Sequence, residues 1–249
     1  MRTAEQVVSE IFALYQQHGN DDYIGESISQ LEHMSQAAQL ALDEGFDDEV
    51  VLAAFFHDIG HICGGAEGNM GGYGVVSHEK LGANYLRGCG FSERMATLVQ
   101  YHVEAKRYLT LRKPGYYECL SEASRRTLEY QGGVMSDVEA DAFERDPLCT
   151  VSLRMREWDE LAKEVDVPVI DLQVLKGKAL RALSPASRLL QTCRSRLAGD
   201  SLSIDSHRRR FLLRLGLFFF LSIFSRHWRL HLILHNLLIN PWVKRCRQW

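Results

Sequence analysis

The residues with the clearest chemical content are His57-Asp58-Ile59-Gly60-His61, which follow the apolar run VLAAFF at 51–56. An adjacent histidine and aspartate at the end of a buried helix place two metal-type ligands on a rigid support. Alone the pair is a weak signal, because a helical histidine is more often structural than ligating. Its weight grows with His33, His78 and His102, each within a segment of helical periodicity and on or near an apolar face. Burying these histidines without partners is costly, and a metal serves them all together. With one later carboxylate, His33, His57, Asp58, His78 and His102 exceed what a single ion with open positions needs. They suit two ions sharing a carboxylate. Mixed imidazole and carboxylate donors favour iron or manganese, with zinc as an option.

The elements that must position these residues are helical. QVVSEIFALYQQHG, SISQLEHMSQAAQLALDEG, DDEVVLAAFFHDIGH, SHEKLGANYLRGCG and SERMATLVQYHVEAKRYL each repeat apolar residues every three or four positions. Gly19, Gly45 and Gly90 stand where helices end, and Ser77 and Ser92 where they begin. No run alternates long enough to predict a strand, so the expectation to about residue 165 is an all-α domain. Ile62–Gly74 contains six glycines and is expected to be a loop, either a connector or a lid beside the site. The spacing of Tyr23, Glu26, Gln30 and His33 puts them on one helix face, as the spacing of His57 and His61 does while that helix lasts. Lys106 follows His102 by four residues, so its ammonium can reach a group bound at the metal.

These residues carry a resemblance to the HD-domain superfamily, through the order H…HD…H…H…D. The segments DDYIGESISQLEH, VLAAFFHDIGH, MGGYGVVSHEKLGANYLR, GFSER, HVEAKRYL, SEASRRTLEYQGG and REWDE resemble its mixed-valence diiron oxygenases that cleave organophosphonates, relatives of myo-inositol oxygenase. The match runs from about residue 20 to 165. It implies an HD-domain helical bundle over residues 1–185 and two irons, Fe(II) and Fe(III). His33, His57, Asp58 and Asp159 would hold one, His78 and His102 the other, with Asp58 bridging. Tyr23 would cap an iron until substrate binds, with Glu26 as its partner and as receptor for a cationic amine. Lys106, His61, Ser124, Thr127, Gln131 and Arg156 would line the phosphonate and substrate shell. The implied reaction is O2-dependent cleavage of the C–P bond of a 1-hydroxyphosphonate. The favoured substrate is (R)-2-amino-1-hydroxyethylphosphonate, giving glycine and phosphate, with a trimethylammonio or a shorter hydroxyphosphonate as alternatives. The competing enzyme class is the metal-dependent phosphohydrolase of the same superfamily, in which a metal-bound hydroxide attacks a phosphate ester without O2. A non-catalytic sensor on the same scaffold is disfavoured by six intact ligand positions.

The net charge of −3 hides a split. Residues 201–249 carry nine Lys or Arg and one acidic residue, leaving 20 basic and 31 acidic residues in 1–200. So acidic a body argues against nucleic acid as a partner. No N-terminal export signal is evident and the six cysteines form no C-x-x-C pair, so free thiols and a cytoplasmic setting are expected. Cys63, just after the HDIGH turn, is expected to be a small buried thiol. The resemblance fails beyond residue 185, and residues 186–249 are expected to form an apolar, basic C-terminal extension. Eleven uncharged residues separate Arg214 from Arg226, about 16 Å of helix, which is short for a bilayer core of roughly 30 Å. Contact with an anionic membrane surface, a docking role and an unselected extension from a gene-model or splicing irregularity are the three readings, the last preferred.

Overall fold

The computed structural model describes residues 2–23, 25–64, 68 and 70–184. The expectations for the C-terminal extension, membrane contact included, lie outside the described residues. Ten α-helices form among them: α1 (Ala4–His18), α2 (Gln30–Asp43), α3 (Asp48–Phe56), α4 (His78–Cys89), α5 (Glu93–Arg112), α6 (Tyr116–Cys119), α7 (Glu122–Tyr130), α8 (Asp137–Glu144), α9 (Cys149–Leu161) and α10 (Leu172–Ala182). No strand forms among the described residues, in keeping with an all-α bundle.

The centre of the bundle is α3, whose residues Val50–Phe56 are all fully buried. A helix apolar on every side must be surrounded, and α3 packs against α2, α5, α9 and α10. Phe12 and Tyr15 of α1 stack on Phe55, with ring centroids 5.8 and 4.5 Å away. Each such ring contributes roughly 2–3 kcal/mol by leaving water. The start of α3 is tied down electrostatically. Lys178 and Arg181 of α10 reach Asp48 at 2.6 and 2.7 Å, while the Asp47 side chain caps the helix by accepting from Val50 N–H.

Three local expectations are corrected. α2 does not extend back to Tyr23. The Ser29 hydroxyl accepts from Glu32 N–H and the Glu32 carboxylate accepts from Ser29 N–H, a capping box that starts the helix at Gln30. Tyr23 and Glu26 instead occupy a turn closed by Tyr23 N–H to Ile28 O at 2.9 Å and Glu26 N–H to Tyr23 O at 3.0 Å. Second, α3 ends at Phe56, so His57 and His61 share no helix face; a 3-10 turn at Ile59–His61 separates them. Third, Ser77 precedes α4 in the left-handed region (φ 57°) with no side-chain cap, whereas Ser92 caps α5 by accepting from Met95 N–H.

The 3-10 turn brings chain to chain at Gly60. A β-carbon there would lie 1.9 Å from the carbonyl oxygen of His78, and backbone cannot move aside as a side chain can. Gly60→Ala is therefore expected to destabilise the fold by about 3 kcal/mol or more. A chemical melt within 1 kcal/mol of the parent would contradict this contact.

Candidate metal centre

Four histidines converge in two pairs. His33 Nε2 of α2 lies 3.0 Å from His57 Nε2, and His78 Nε2 of α4 lies 3.1 Å from His102 Nε2 of α5. Asp58 stands between the pairs and offers one oxygen to each. Its Oδ1 is 3.3 and 3.5 Å from the ring nitrogens of His78 and His102. Its Oδ2 is 3.6 and 3.4 Å from those of His33 and His57. Asp159 of α9 joins the first pair, 3.5 Å from His33 and 3.9 Å from His57. All six side chains are buried. Two metal-competent triads result, His33–His57–Asp58 and Asp58–His78–His102.

The protonation pattern tests whether ions fit. The other ring nitrogen of three histidines faces a backbone carbonyl: His33 Nδ1 at 2.8 Å from Ala162 O, His57 Nδ1 at 2.8 Å from Ala54 O, and His102 Nδ1 at 2.6 Å from Val99 O. A carbonyl only accepts, so in each neutral ring Nδ1 carries the hydrogen and Nε2 the lone pair. With both rings neutral, His33 and His57 aim two lone pairs at one point 3.0 Å across, a contact that a proton or a metal ion between them relieves. The edge of an octahedron with bonds of roughly 2.1 Å has about that length. Backbone anchoring of the far nitrogen is also how ligating histidines are oriented. Burial disfavours charge on His57, yet the Asp58 and Asp159 carboxylates raise its pKa to about 9. Both carboxyls are held well below the usual range despite burial, Asp58 chiefly by His57 and Asp159 chiefly by Arg156. The site draws positive charge, and the residues suit two transition-metal ions. His78 differs from its fellows: its Nδ1 has no hydrogen-bond partner, and the nearest carboxylate is Glu79 at 3.8 Å.

A cavity opens on the centre. Asp58, His78, His102 and Asp159 line it together with Tyr23, Glu26, His61, Lys106, Ser124, Thr127, Gln131 and Arg156, so every residue expected in the substrate shell is on its wall. His33 and His57 are not. Tyr23 lies flat on His33, ring centroids 3.8 Å apart and planes at 15°. Burial, then Asp159 and Asp58, hold its hydroxyl protonated well above the usual range. From the glycine-rich loop Met70, Tyr73 and Gly74 reach the wall, and Gly74 is required there: a β-carbon would sit 2.6 Å from His61 Cε1. His61 stacks on His78 at 4.2 Å. Its Nδ1 accepts from Val75 N–H at 3.1 Å, leaving the hydrogen on Nε2. Burial, then His78, push its pKa to about 3, so this ring is a neutral donor.

Lys106 is not solvated as an isolated lysine would be; it is 3% exposed. It donates to Thr127 Oγ1 at 3.0 Å and Ser124 O at 3.3 Å. Burial, then Arg156, depress its pKa to about 7. Arg156 has different work from a free anion clamp. It pairs with Asp159 and Glu160 and donates to Tyr116 Oη at 3.0 Å and Ser124 Oγ at 3.4 Å, which fixes Asp159 toward the histidines. Cys63 is partly buried and does not line the cavity, and Cys63, Cys89 and Cys149 are free thiols. Residue types alone missed Lys163, Ser121, Tyr73 and Met70 on the wall. Only Lys163 had a signal, its position four residues after Asp159, but α9 ends before it.

Comparison with known proteins places this site. The HD-domain family model matches residues 30–162. An uncharacterized protein of Acanthamoeba polyphaga mimivirus is 42% identical over 184 residues, 73% of this chain and 84% of that protein. The glycine-betaine-forming 1-hydroxy-2-(trimethylamino)ethylphosphonate dioxygenase of Leisingera caerulea is 35% identical, over 66% of this chain and 84% of its own. The hydroxymethylphosphonate dioxygenase of Gimesia maris is 37% identical, over 69% and 86%. With its two joined triads and these relatives, the chain belongs to the HD-domain family, as a metal-binding protein related to the hydroxyphosphonate dioxygenases.

Proposed function

We propose that this protein is a diiron oxygenase that uses O2 to cleave the C–P bond of a 1-hydroxyphosphonate, releasing a carboxylate and phosphate. The observation that carries the reading is Asp58, whose two oxygens each face a separate histidine pair. Relatives named for the hydroxyphosphonate head with and without a trimethylamino tail support it. His33, His57, Asp58 and Asp159 would hold one iron and His78 and His102 the other, with Asp58 shared. When bound, the Fe(II)/Fe(III) pair supplies O2 binding and electron transfer, which no side chain provides.

The remaining chemistry belongs to the chain. Lys106, held by Thr127, presents an ammonium to the phosphonate, with Ser124, Gln131 and the His61 Nε2–H as further polar groups. Arg156 keeps Asp159 ionised and aimed, and adds a fixed positive field. Tyr23 covers the His33 side of the centre and would move when substrate arrives, opening that side only then. Glu26, beside it, would sense the tail of the substrate. A 2-amino tail, the expectation from the resemblance, would meet Lys163 at Glu26.

Aerobic incubation of iron-loaded protein with hydroxymethylphosphonate and with 2-amino-1-hydroxyethylphosphonate tests the reaction. One O2 should be consumed for each phosphate and each carboxylate formed. Phosphate release that persists without O2 would sink the oxygenase reading and favour hydrolysis.

A further inference from the structure

The cavity wall carries a cation that the proposed chemistry above leaves unused. Lys163 Nζ lies 3.1 Å from Glu26 Oε1 and donates to Ser121 Oγ at 3.3 Å. Both side chains of the pair are largely buried, 15% and 19% exposed, and both line the cavity. The pair is ionic, Glu26 Oε1 accepting no hydrogen bond, and the backbone at each end is fixed. Glu26 is held by its N–H to Tyr23 O at 3.0 Å, and the chain next to Lys163 is pinned by Gln36, whose side chain donates to Glu164 O at 2.8 Å and accepts from Glu164 N–H at 3.1 Å.

We propose that Lys163 is the residue that decides which substrate tail the site accepts, selecting a hydroxyphosphonate with no charged tail over one with a cationic tail. The proposal rests on the hydroxyphosphonate reading of the site. A substrate ammonium arriving at Glu26 meets an ammonium already there. It must displace Lys163 from a partly buried carboxylate, or sit beside it against like charge, and both are unfavourable away from bulk water. An uncharged tail leaves the pair intact.

Anaerobic calorimetric titration of the iron-loaded protein with hydroxymethylphosphonate and 2-amino-1-hydroxyethylphosphonate measures the selectivity without turnover. The parent chain should bind the first at least tenfold more tightly. Lys163→Gln should shift the ratio of the two dissociation constants at least tenfold toward the amino compound, and Lys163→Arg should preserve it. A parent that prefers the amino compound, a ratio unmoved in folded Lys163→Gln, or binding of neither phosphonate overturns the proposal. O2 uptake, assayed separately, reports on the reaction. Selective binding without O2 uptake would support the role of Lys163 while sinking the oxygenase reading; O2 uptake with an unmoved ratio would do the reverse.

Discussion

Replacing Asp58 by alanine is expected to cost the protein both metal ions and essentially all turnover. Every other candidate ligand faces one histidine pair, whereas Asp58 presents an oxygen to each, 3.3–3.6 Å from the four ring nitrogens. Iron after anaerobic reconstitution should fall from two ions per chain to fewer than one. The activity loss should exceed the roughly 100-fold that removing an outer-shell partner of a metal ligand can cost. His33→Ala and His78→Ala serve as contrasts, since each removes a ligand from one side and should leave the other ion in place. Emission spectrometry on desalted protein reads the stoichiometry, and circular dichroism shows whether the helices persist. Two irons retained in folded Asp58→Ala would mean that the carboxylate does not join the two positions.

Lys106→Met is expected to stabilise the metal-free fold while weakening phosphonate binding, because Lys106 is buried at a cost the site needs. Burial first, and Arg156 second, bring its pKa from 10.5 to about 7, against the pull of Asp159, Glu160 and Asp58. Between those values the unfolded chain holds more protons than the folded one, so this group makes stability rise with pH from about 7 to 10.5. Methionine keeps most of the apolar stem and removes the charge; its hydroxyl and carbonyl contacts, to Thr127 and Ser124, are lost. The expected net gain at pH 7 is about 1–2 kcal/mol, and the rise with pH should flatten. Urea melts at pH 7 and 9 measure both. Losing a charged donor to the ligand should weaken hydroxymethylphosphonate binding by roughly 10–100-fold. A variant that is less stable at pH 7, or that binds the phosphonate unchanged, would contradict the assignment.

Much of the centre was legible from residue type and local period. Helical periodicity predicted α1 to α5, because apolar residues three and four apart can bury together only on a helix. Five histidines and aspartates of ligand type on those segments meet in space, because each sits near the inward end or face of a helix that the core orients. Asp159 was legible only through the family resemblance, since a lone acidic residue on a helix is ordinarily solvated. Tyr23 was singled out on a helix-face argument that the Ser29–Glu32 capping box overturns, although the turn that replaces the helix still lays Tyr23 on His33.

The sequence by itself determined an all-α body for the described residues, a set of ligand-type residues suited to two metal ions, and a charge division near the C-terminal quarter, because those follow from composition and from patterns within single helices. Tertiary structure alone decided what each polar group is occupied with. Arg156 is engaged by Tyr116 and Ser124 rather than standing free, and Glu26 already lies against the ammonium of Lys163. His33 is oriented by Ala162 O, 129 positions away in the chain, and Gly60 is needed because the backbone of His78 touches it. These are contacts between segments far apart in sequence. Their partners are chosen by how the helices pack, and no periodicity within one helix encodes that choice.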